Sequence, residues 1–418
     1  MSNKKQNNEK AVQNRQQNKS QSKAQNKQQN KQLPKAQDKQ NKQQPKAQEK
    51  QQNTNSNNKS QKGKARKITK PFYYKNKKSS HSKNKGTNIT KEEKKVIPSA
   101  PIKIAFLGGL NEVGKNITLF EYEDEIVLVD CGLAFPDEDM PGIDLVIPDF
   151  TYIEKNADKV KGICITHGHE DHIGSLAYLL KKVNIPVYST RLTNGLIEGK
   201  LKEHGLLSSA KLNVVKPGDI VKFGKFSVEF IHVNHSIPDA VALAIKCGAG
   251  TIVHTGDFKI DTTPIDGEMI DIARFAEIGK EGVLCMMADS TNAERHGYTE
   301  SESKVGDSFE MLFRKAENRR IIVATFASNI HRVQQIINVA KMLGRKVALS
   351  GRSLENVVAI GADLGYLDVP EGILIKLDMI NQYTENEIVL ITTGSQGEPM
   401  SALTRMAFSD HRQVEVGP

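Results

Sequence analysis

One run of six residues constrains this chain more than any other feature: His167-Gly168-His169-Glu170-Asp171-His172, set directly after the apolar segment Gly162–Thr166. Three imidazoles and a carboxylate so close together suit a borderline divalent cation such as zinc, which takes nitrogen and carboxylate-oxygen ligands. Side chains alternate along an extended segment, so His167 and His169 point the same way. Asp171 and His172 then open a helix and point elsewhere, and one short segment can serve two adjacent cations. A lone histidine is ordinarily a satisfied surface or core residue, but no packing argument asks for this cluster.

Further ligands are expected at the ends of other strands. His235, in Ile231-His232-Val233-Asn234-His235-Ser236-Ile237-Pro238-Asp239, follows a strand and precedes a Pro-containing loop. His232 competes for the role but sits on the alternating strand itself, so His235 is preferred. Asp257, in Val253-His254-Thr255-Gly256-Asp257-Phe258, ends another strand. Its two oxygens can bridge two cations, which an imidazole cannot do; a helix or turn cap is the ordinary alternative. Asp130 closes the strand Ile126–Val129 and is read as accepting the free N–H of a ligand histidine, with a plain cap as its alternative.

The rest of the chain falls into two textures. The first hundred residues hold 27 Lys/Arg against 5 Asp/Glu, leaving 32 against 44 for the remainder, so a cationic arm precedes an acidic body. The arm is built of Lys, Gln, Asn and Ser, and Pro34–Gln40 recurs almost unchanged as Pro45–Gln51. It has too few large apolar side chains to offset the entropy of ordering it, so residues 1–96 are read as a disordered basic tail. Its charge would attract phosphate backbones in a salt-dependent way. Phe72, Tyr73 and Tyr74 among its lysines could stack bases; a solvated tether with incidental aromatics is the alternative.

Cys131, Cys164, Cys247 and Cys285 are scattered singly, which argues against a disulfide framework or a thiolate zinc site and for a reducing compartment. There is no apolar run behind the first residues and none of about 18 residues anywhere, so neither a signal peptide nor a membrane span is expected. A cytoplasmic location follows as the expectation.

From Ile97 the chain reads as α/β. Strands are expected over Ile102–Leu107, Ile126–Val129, Gly162–Thr166 and Thr251–His254, and a more exposed, alternating one over Lys225–Val233. Ile173, Leu176, Leu179, Leu180 and Val183 fall at helical spacing. Residues 97–300 are taken as one domain and 301–418 as a second. In the second, Ile321–Thr325 and Val347–Ser350 flank the helix His331–Leu343 in a βαβ pattern. Val414–Pro418 looks like a strand, so the second fold is expected to be incomplete at the C-terminus.

With those residues in view the chain resembles the metallo-β-lactamase superfamily. Leu107–Asn116, Val129-Asp130-Cys131-Gly132, Asn234–Asp239, His254–Phe258 and Asp289-Ser290-Thr291-Asn292 are similar, more narrowly, to its β-CASP nuclease branch. Thr393-Gly394-Ser395-Gln396-Gly397-Glu398-Pro399, with Ser401–Met406, is close to the ribonuclease J family. The resemblance implies an αββα sandwich followed by a β-CASP α/β domain. It implies two zinc ions, with manganese or magnesium as alternatives. His167, His169 and His235 would hold one, Asp171 and His172 the other, and Asp257 would lie between them. Asp171, His172 and Asp257 would also carry the chemistry, and the carboxylates of Asp130 and Asp289 would support the ligands from behind. Ser395, in a Gly-flanked loop after the strand Ile388–Thr392, would bind the 5′ phosphate of RNA, since backbone N–H groups of such a loop can cradle an anion. An ordinary turn is its alternative. The family's later histidine motifs, including the last ligand of the second zinc, have no counterpart before Pro418, and His411 is not at such a motif.

Paired cations suit phosphodiester hydrolysis: they lower the pKa of a shared water and offset charge on the phosphoryl oxygens, which lets an acidic body cut a polyanion. The expected function is therefore a zinc-dependent ribonuclease with endonuclease and 5′-to-3′ exonuclease activity in bacterial RNA turnover, in mRNA decay and rRNA maturation. Its expected partners are RNA with a 5′-monophosphate end, a second copy of the chain, and a DEAD-box helicase or the ribosome. A glyoxalase II-type thioesterase would have no use for the second domain or the arm. A noncatalytic RNA-binding scaffold is the alternative, kept because the last ligand is missing.

Overall fold

A computed structural model describes residues 100–137, 139–398 and 401–416. The basic tail, its aromatic triplet and the last two residues lie outside them, as do Pro399 and Met400.

β1 (Lys103–Gly108), β2 (Ile117–Tyr122) and β3 (Glu125–Val129) form an antiparallel meander. After α1 (Thr151–Lys155), β4 (Val160–Cys164) joins β3 in parallel. The helices α2 (Glu170–Ile173) and α3 (Leu176–Lys182) cross over to β5 (Pro186–Ser189), and α4 (Arg191–Glu203) to β6 (Lys211–Val214), completing a six-stranded sheet. Parallel strands need such crossovers, and they leave the helices on one face. A second sheet pairs β7 (Ile220–Phe223), β8 (Phe226–His232), β9 (Val241–Cys247) and β10 (Gly250–His254) antiparallel; after α5 (Ile272–Glu281), β11 (Cys285–Met287) adds in parallel to β10.

The two-residue period of the strands decides how these sheets stack. Phe120, Tyr122, Val127 and Val129 of the first sheet meet Phe226, Val228, Phe230, Leu243 and Ile245 of the second. The alternate residues Ile117, Leu119, Ile126 and Leu128 face Leu176, Leu179, Leu192 and Ile197 of the helices. On the far side, Ile231, Ala242, Ala244 and Val253 are covered by Ile270, Phe275 and Ile278. The result is a helix–sheet–sheet–helix sandwich.

The C-terminal unit comprises α6 (Ser303–Lys315), β12 (Ile321–Ala324), α7 (Ile330–Met342), β13 (Lys346–Ser350), α8 (Arg352–Asp363), β14 (Leu374–Ile375), β15 (Ile388–Thr392) and α9 (Ala402–Ala407). Its strands are all parallel in the order β12-β15-β13-β14, so β15 slots between strands laid down earlier in the chain. The two units share one apolar cluster. The approach of α8 to α4 depends on Gly195, where a Cβ would come within 2.9 Å of Leu364 Cδ1 and 3.1 Å of Ile360 Cγ2. Among the described residues no helix is long and apolar enough to cross a membrane.

Two readings of the sequence are corrected. The strand expected to be exposed over Lys225–Val233 is β8, a central strand with Phe226, Val228, Phe230 and Ile231 buried. Its polar alternates are accommodated rather than solvated: Glu229 is buried and takes a two-pronged ion pair from Arg274 of α5 at 2.6 and 3.0 Å. The second correction concerns Val414–Val416, which form no strand. The Val414 N–H is turned back onto His411 Nδ1 and its side chain is buried against Ala402 and Met406.

Candidate metal centre

The sandwich delivers its polar residues to one end. His167 lies just past β4, Asp130 just past β3, His235 in the loop after β8 and Asp257 just past β10. His167 Nε2 lies 3.0 Å from His169 Nδ1, which lies 3.2 Å from His235 Nε2. Asp257 Oδ2 is 3.9 Å from His167 Nε2 and 3.7 Å from His235 Nε2. A tetrahedral zinc with bonds of about 2.0–2.2 Å spaces its donors about 3.3–3.6 Å apart, so these four atoms fit around one ion. The other Asp257 oxygen, Oδ1, is 3.4 Å from His172 Nε2, which is 3.5 Å from Asp171 Oδ2. A second group of three donors thus shares Asp257 with the first.

The electrostatics suit cations. Burial pushes the imidazoles of His167, His169 and His235 down, His169 to about 3, and neighbouring rings push His167 and His169 the same way. These three are therefore neutral, the state a metal ligand needs. Burial is the largest influence on His172 and pushes it down, but the carboxylates of Asp130, Asp171 and Asp257 together outweigh it and raise that imidazole well above its usual range. Burial alone would raise Asp171 and Asp257; hydrogen bonding and charge from His172 prevail and hold both below the usual carboxylate range. Three neutral imidazoles and two ionised carboxylates are donors a divalent cation can use, and His172 joins them on giving up its Nε2 proton.

Asp130 sits behind this arrangement in a left-handed backbone conformation (φ 61°). Its Oδ1 accepts the Thr166 N–H at 2.7 Å, and its Oδ2 accepts His172 Nδ1–H at 2.8 Å. That leaves His172 Nε2 to face Asp171 and Asp257. Asp289 is placed differently: its carboxylate accepts the Thr291 N–H within its own turn, while its backbone N–H donates to Thr255 Oγ1. His232, the competitor of His235, points away to the Glu268 carbonyl at 3.3 Å. Glu170, between the ligand candidates, pairs with Lys200 of α4 at 2.6 and 2.7 Å. His411 lies against Ser350 Oγ at 3.2 Å, in the C-terminal unit.

Sequence reasoning missed three supporting residues. Thr166 Oγ1 lies 2.9 Å from Asp130 Oδ2 and 3.1 Å from His167 Nδ1. Ser236 Oγ lies 3.4 Å from His169 Nε2. Asn116 Nδ2 reaches both Asp171 and His172. Thr166 and Ser236 each adjoin a ligand candidate in sequence; Asn116 closes the motif Leu107–Asn116, but its meeting with Asp171 shows only in three dimensions.

The donors lie on the wall of a cleft of about 1840 Å³, except for His167, which is fully buried behind it. The loop Gly108–Gly114, Phe135 and Lys200 line it from the sandwich, and Phe326, Ser328, Arg352 and Asn356 from the C-terminal unit. The latter residues follow the carboxyl ends of parallel strands, where open α/β sheets place ligands. Ser395 is exposed in the turn after β15, beside Gln396, which lines the cleft.

Comparison with known proteins places this geometry. Residues 110–273 match the family model of the metallo-β-lactamase superfamily, and residues 318–418 that of the ribonuclease J β-CASP domain. Ribonuclease J of a Synechocystis species is 48% identical over 317 residues, covering 75% of this chain and 49% of the relative. Ribonuclease J of Thermus thermophilus is 45% identical over 77% of this chain and 57% of its own length; for ribonuclease J2 of Bacillus subtilis the figures are 43%, 75% and 57%. The chain thus spans about half the length of such relatives. A crystal structure of a protein of unknown function from Enterococcus faecalis shares the fold with a TM-score of 0.51 at 16% identity, covering 70% of this chain and 77% of that one.

Proposed function

The chain joins a metallo-β-lactamase superfamily domain to a ribonuclease J β-CASP domain, and on that premise we propose that it is a metal-dependent ribonuclease acting in bacterial RNA turnover. The observation that carries this reading is the convergence of His169, Asp171, His172, His235 and Asp257, with the buried His167 behind them, at the wall of a cleft that the C-terminal unit also lines. His167, His169, His235 and Asp257 would hold one cation, Asp171, His172 and Asp257 the other, with zinc first in order and manganese or magnesium as alternatives. Bound there, such ions supply Lewis-acid charge that activates water and offsets the charge of a phosphodiester.

The chain's own residues do the rest. Asp130 fixes the His172 ring and its Nδ1 proton, so Nε2 is presented to the cleft in one orientation. Thr166 and Ser236 sit against the outer nitrogens of His167 and His169. Backbone N–H groups around Ser395 and side chains such as Arg352 would receive phosphates. A 5′ phosphate seated near Ser395 would set the register for 5′-to-3′ removal, while internal cutting would need only the cleft. The basic arm would gather RNA that the acidic body repels. A cytoplasmic location, self-association, and a helicase or ribosome as partner belong to the same reading.

The test is cleavage of single-stranded RNA bearing a 5′ monophosphate or triphosphate, with and without chelator, alongside elemental analysis. Chelator-sensitive cleavage that favours the monophosphate end supports the proposal. The second group has three donors among the described residues where the first has four, which favours a second reading: an RNA-binding scaffold that does not cut. Chelator-indifferent RNA binding without cleavage would decide for it.

A further inference from the structure

Asn116 ends the cleft-lining loop between β1 and β2, and nothing in the ligand set accounts for where its side chain goes. Its backbone N–H donates to the Asp171 carbonyl at 3.0 Å, and its own carbonyl accepts the Gly132 N–H at 2.9 Å. Its side-chain Nδ2 then reaches the same Asp171 carbonyl at 3.1 Å, Asp171 Oδ2 at 3.3 Å and His172 Nε2 at 3.2 Å. The orientation of the amide is fixed by chemistry: two acceptors of Asp171 face that nitrogen, and an NH₂ carries two hydrogens to give them. The amide oxygen lies on the other side, against Gly109, where a Cβ would come within 2.4 Å of it.

We propose that Asn116 is the positioning residue of the second cation site. By bonding the main-chain carbonyl and the side-chain carboxylate of one aspartate together, its NH₂ locks the Asp171 side chain so that Oδ2 stays 3.5 Å from His172 Nε2. A neutral donor suits this place. Asp171 and Asp257 already put two carboxylates beside His172, and an NH₂ offsets their repulsion while adding no charge. Among the described residues Asn116 makes no hydrogen bond to His167, His169, His235 or Asp257, so its direct effect falls on the second group. The inference rests on the cation-binding reading given above.

The experiment titrates Mn²⁺ into the whole metal-free chain and follows both binding steps by calorimetry and by the electron paramagnetic resonance of free Mn²⁺. The variants are Asn116→Ala, Asn116→Asp and, as reference, Asp171→Ala. If Asn116 acts as a donor, Asn116→Ala and Asn116→Asp both weaken the second step by about 10- to 100-fold, as loss of a ligand's supporting hydrogen bond does. The first step stays unchanged and also reports that each variant is folded. An unchanged second step in Asn116→Ala overturns the proposal. Tighter binding in Asn116→Asp overturns it too, because the side chain would then be acting as a ligand through oxygen. Absence of any Mn²⁺ binding by the parent chain overturns the cation reading and this inference with it, whereas two normal steps in the parent with indifferent variants sink the inference alone.

Discussion

The phenol of Tyr366 donates a hydrogen bond to the Asp239 carboxylate, fastening the C-terminal unit to the loop that carries His235. Asp239 is held on its other sides as well: its Oδ2 accepts the Leu192 N–H at 3.3 Å and its carbonyl accepts Thr190 Oγ1–H at 2.9 Å, both at the start of α4. Burial and the carboxylate push the phenol's pKa upward, so Tyr366 keeps its proton at any physiological pH. Tyr366→Phe should lower stability by about 2 kcal/mol, the scale of a hydrogen bond to a charged group. Urea unfolding at pH 6 and pH 9 should give the same loss. A loss confined to one end of that range would contradict the assignment of the proton.

Asp261 gives a pH-dependent counterpart. It is buried, accepts the backbone N–H groups of Thr263 and Glu302, and pairs with Lys259 at 3.3 Å. Burial alone would raise its carboxyl, but these donors hold it down at about 2. A depressed pKa contributes stability that is present above the unfolded value of about 4 and fades as pH falls toward about 2. Asp261→Asn should therefore cost up to about 2 kcal/mol at neutral pH. The gap to the parent should stay flat from pH 7 to pH 5 and narrow below pH 4. A gap constant down to pH 3 would show that the charge contributes nothing.

Replacing a ligand candidate should remove cations without removing the fold. His169→Ala takes away the nitrogen that lies between His167 and His235. Bound zinc, counted by mass spectrometry under native conditions, should fall by one ion, with far-ultraviolet circular dichroism unchanged. Cleavage, where the parent shows it, should drop to background. Full metal content in the variant would mean that the donors have been misassigned.

Gly132 tests how tightly the cradle is built. A Cβ there would lie 1.5 Å from the Asp171 carbonyl oxygen, a backbone atom that cannot swing aside. Gly132→Ala must displace the turn that carries Asp171 and His172. Cation affinity should fall and the protein should lose about 1–3 kcal/mol, as overpacked sites do. Parent-like binding would show that the turn has slack.

Deleting residues 1–90 removes most of the arm's positive charge. RNA affinity should weaken, and the slope of log K against log salt should flatten, because fewer counterions are released. Catalysis by the body should persist. An unchanged slope would refute the electrostatic role.

What the sequence disclosed and what it withheld divide along a physical line. His167, His169, Asp171 and His172 are legible because one strand-to-helix turn brings them together, so local spacing suffices. His235 and Asp257 could be chosen because each closes a strand, and strand ends of one sandwich gather at one rim. Asn116 closes a motif the sequence displays, but its role stays hidden, since its meeting with Asp171 spans 55 positions and depends on how a loop lies. The burial of β8 was misread for a related reason: its polar alternate Glu229 looks solvated until Arg274, 45 positions on, covers it. Val414 reads as strand by composition, yet its N–H is captured by His411 three residues back.

The donors of the first group come from two different sheets, His167 and His169 from one and His235 and Asp257 from the other. An ion seated among them would therefore act as a rivet through both layers, contributing stability that rises with the logarithm of its free concentration. Starved of metal, such a molecule would lose a fastening as well as a reagent. Its persistence in the cell would then follow metal supply, and resistance to heat or protease would serve as a gauge of occupancy.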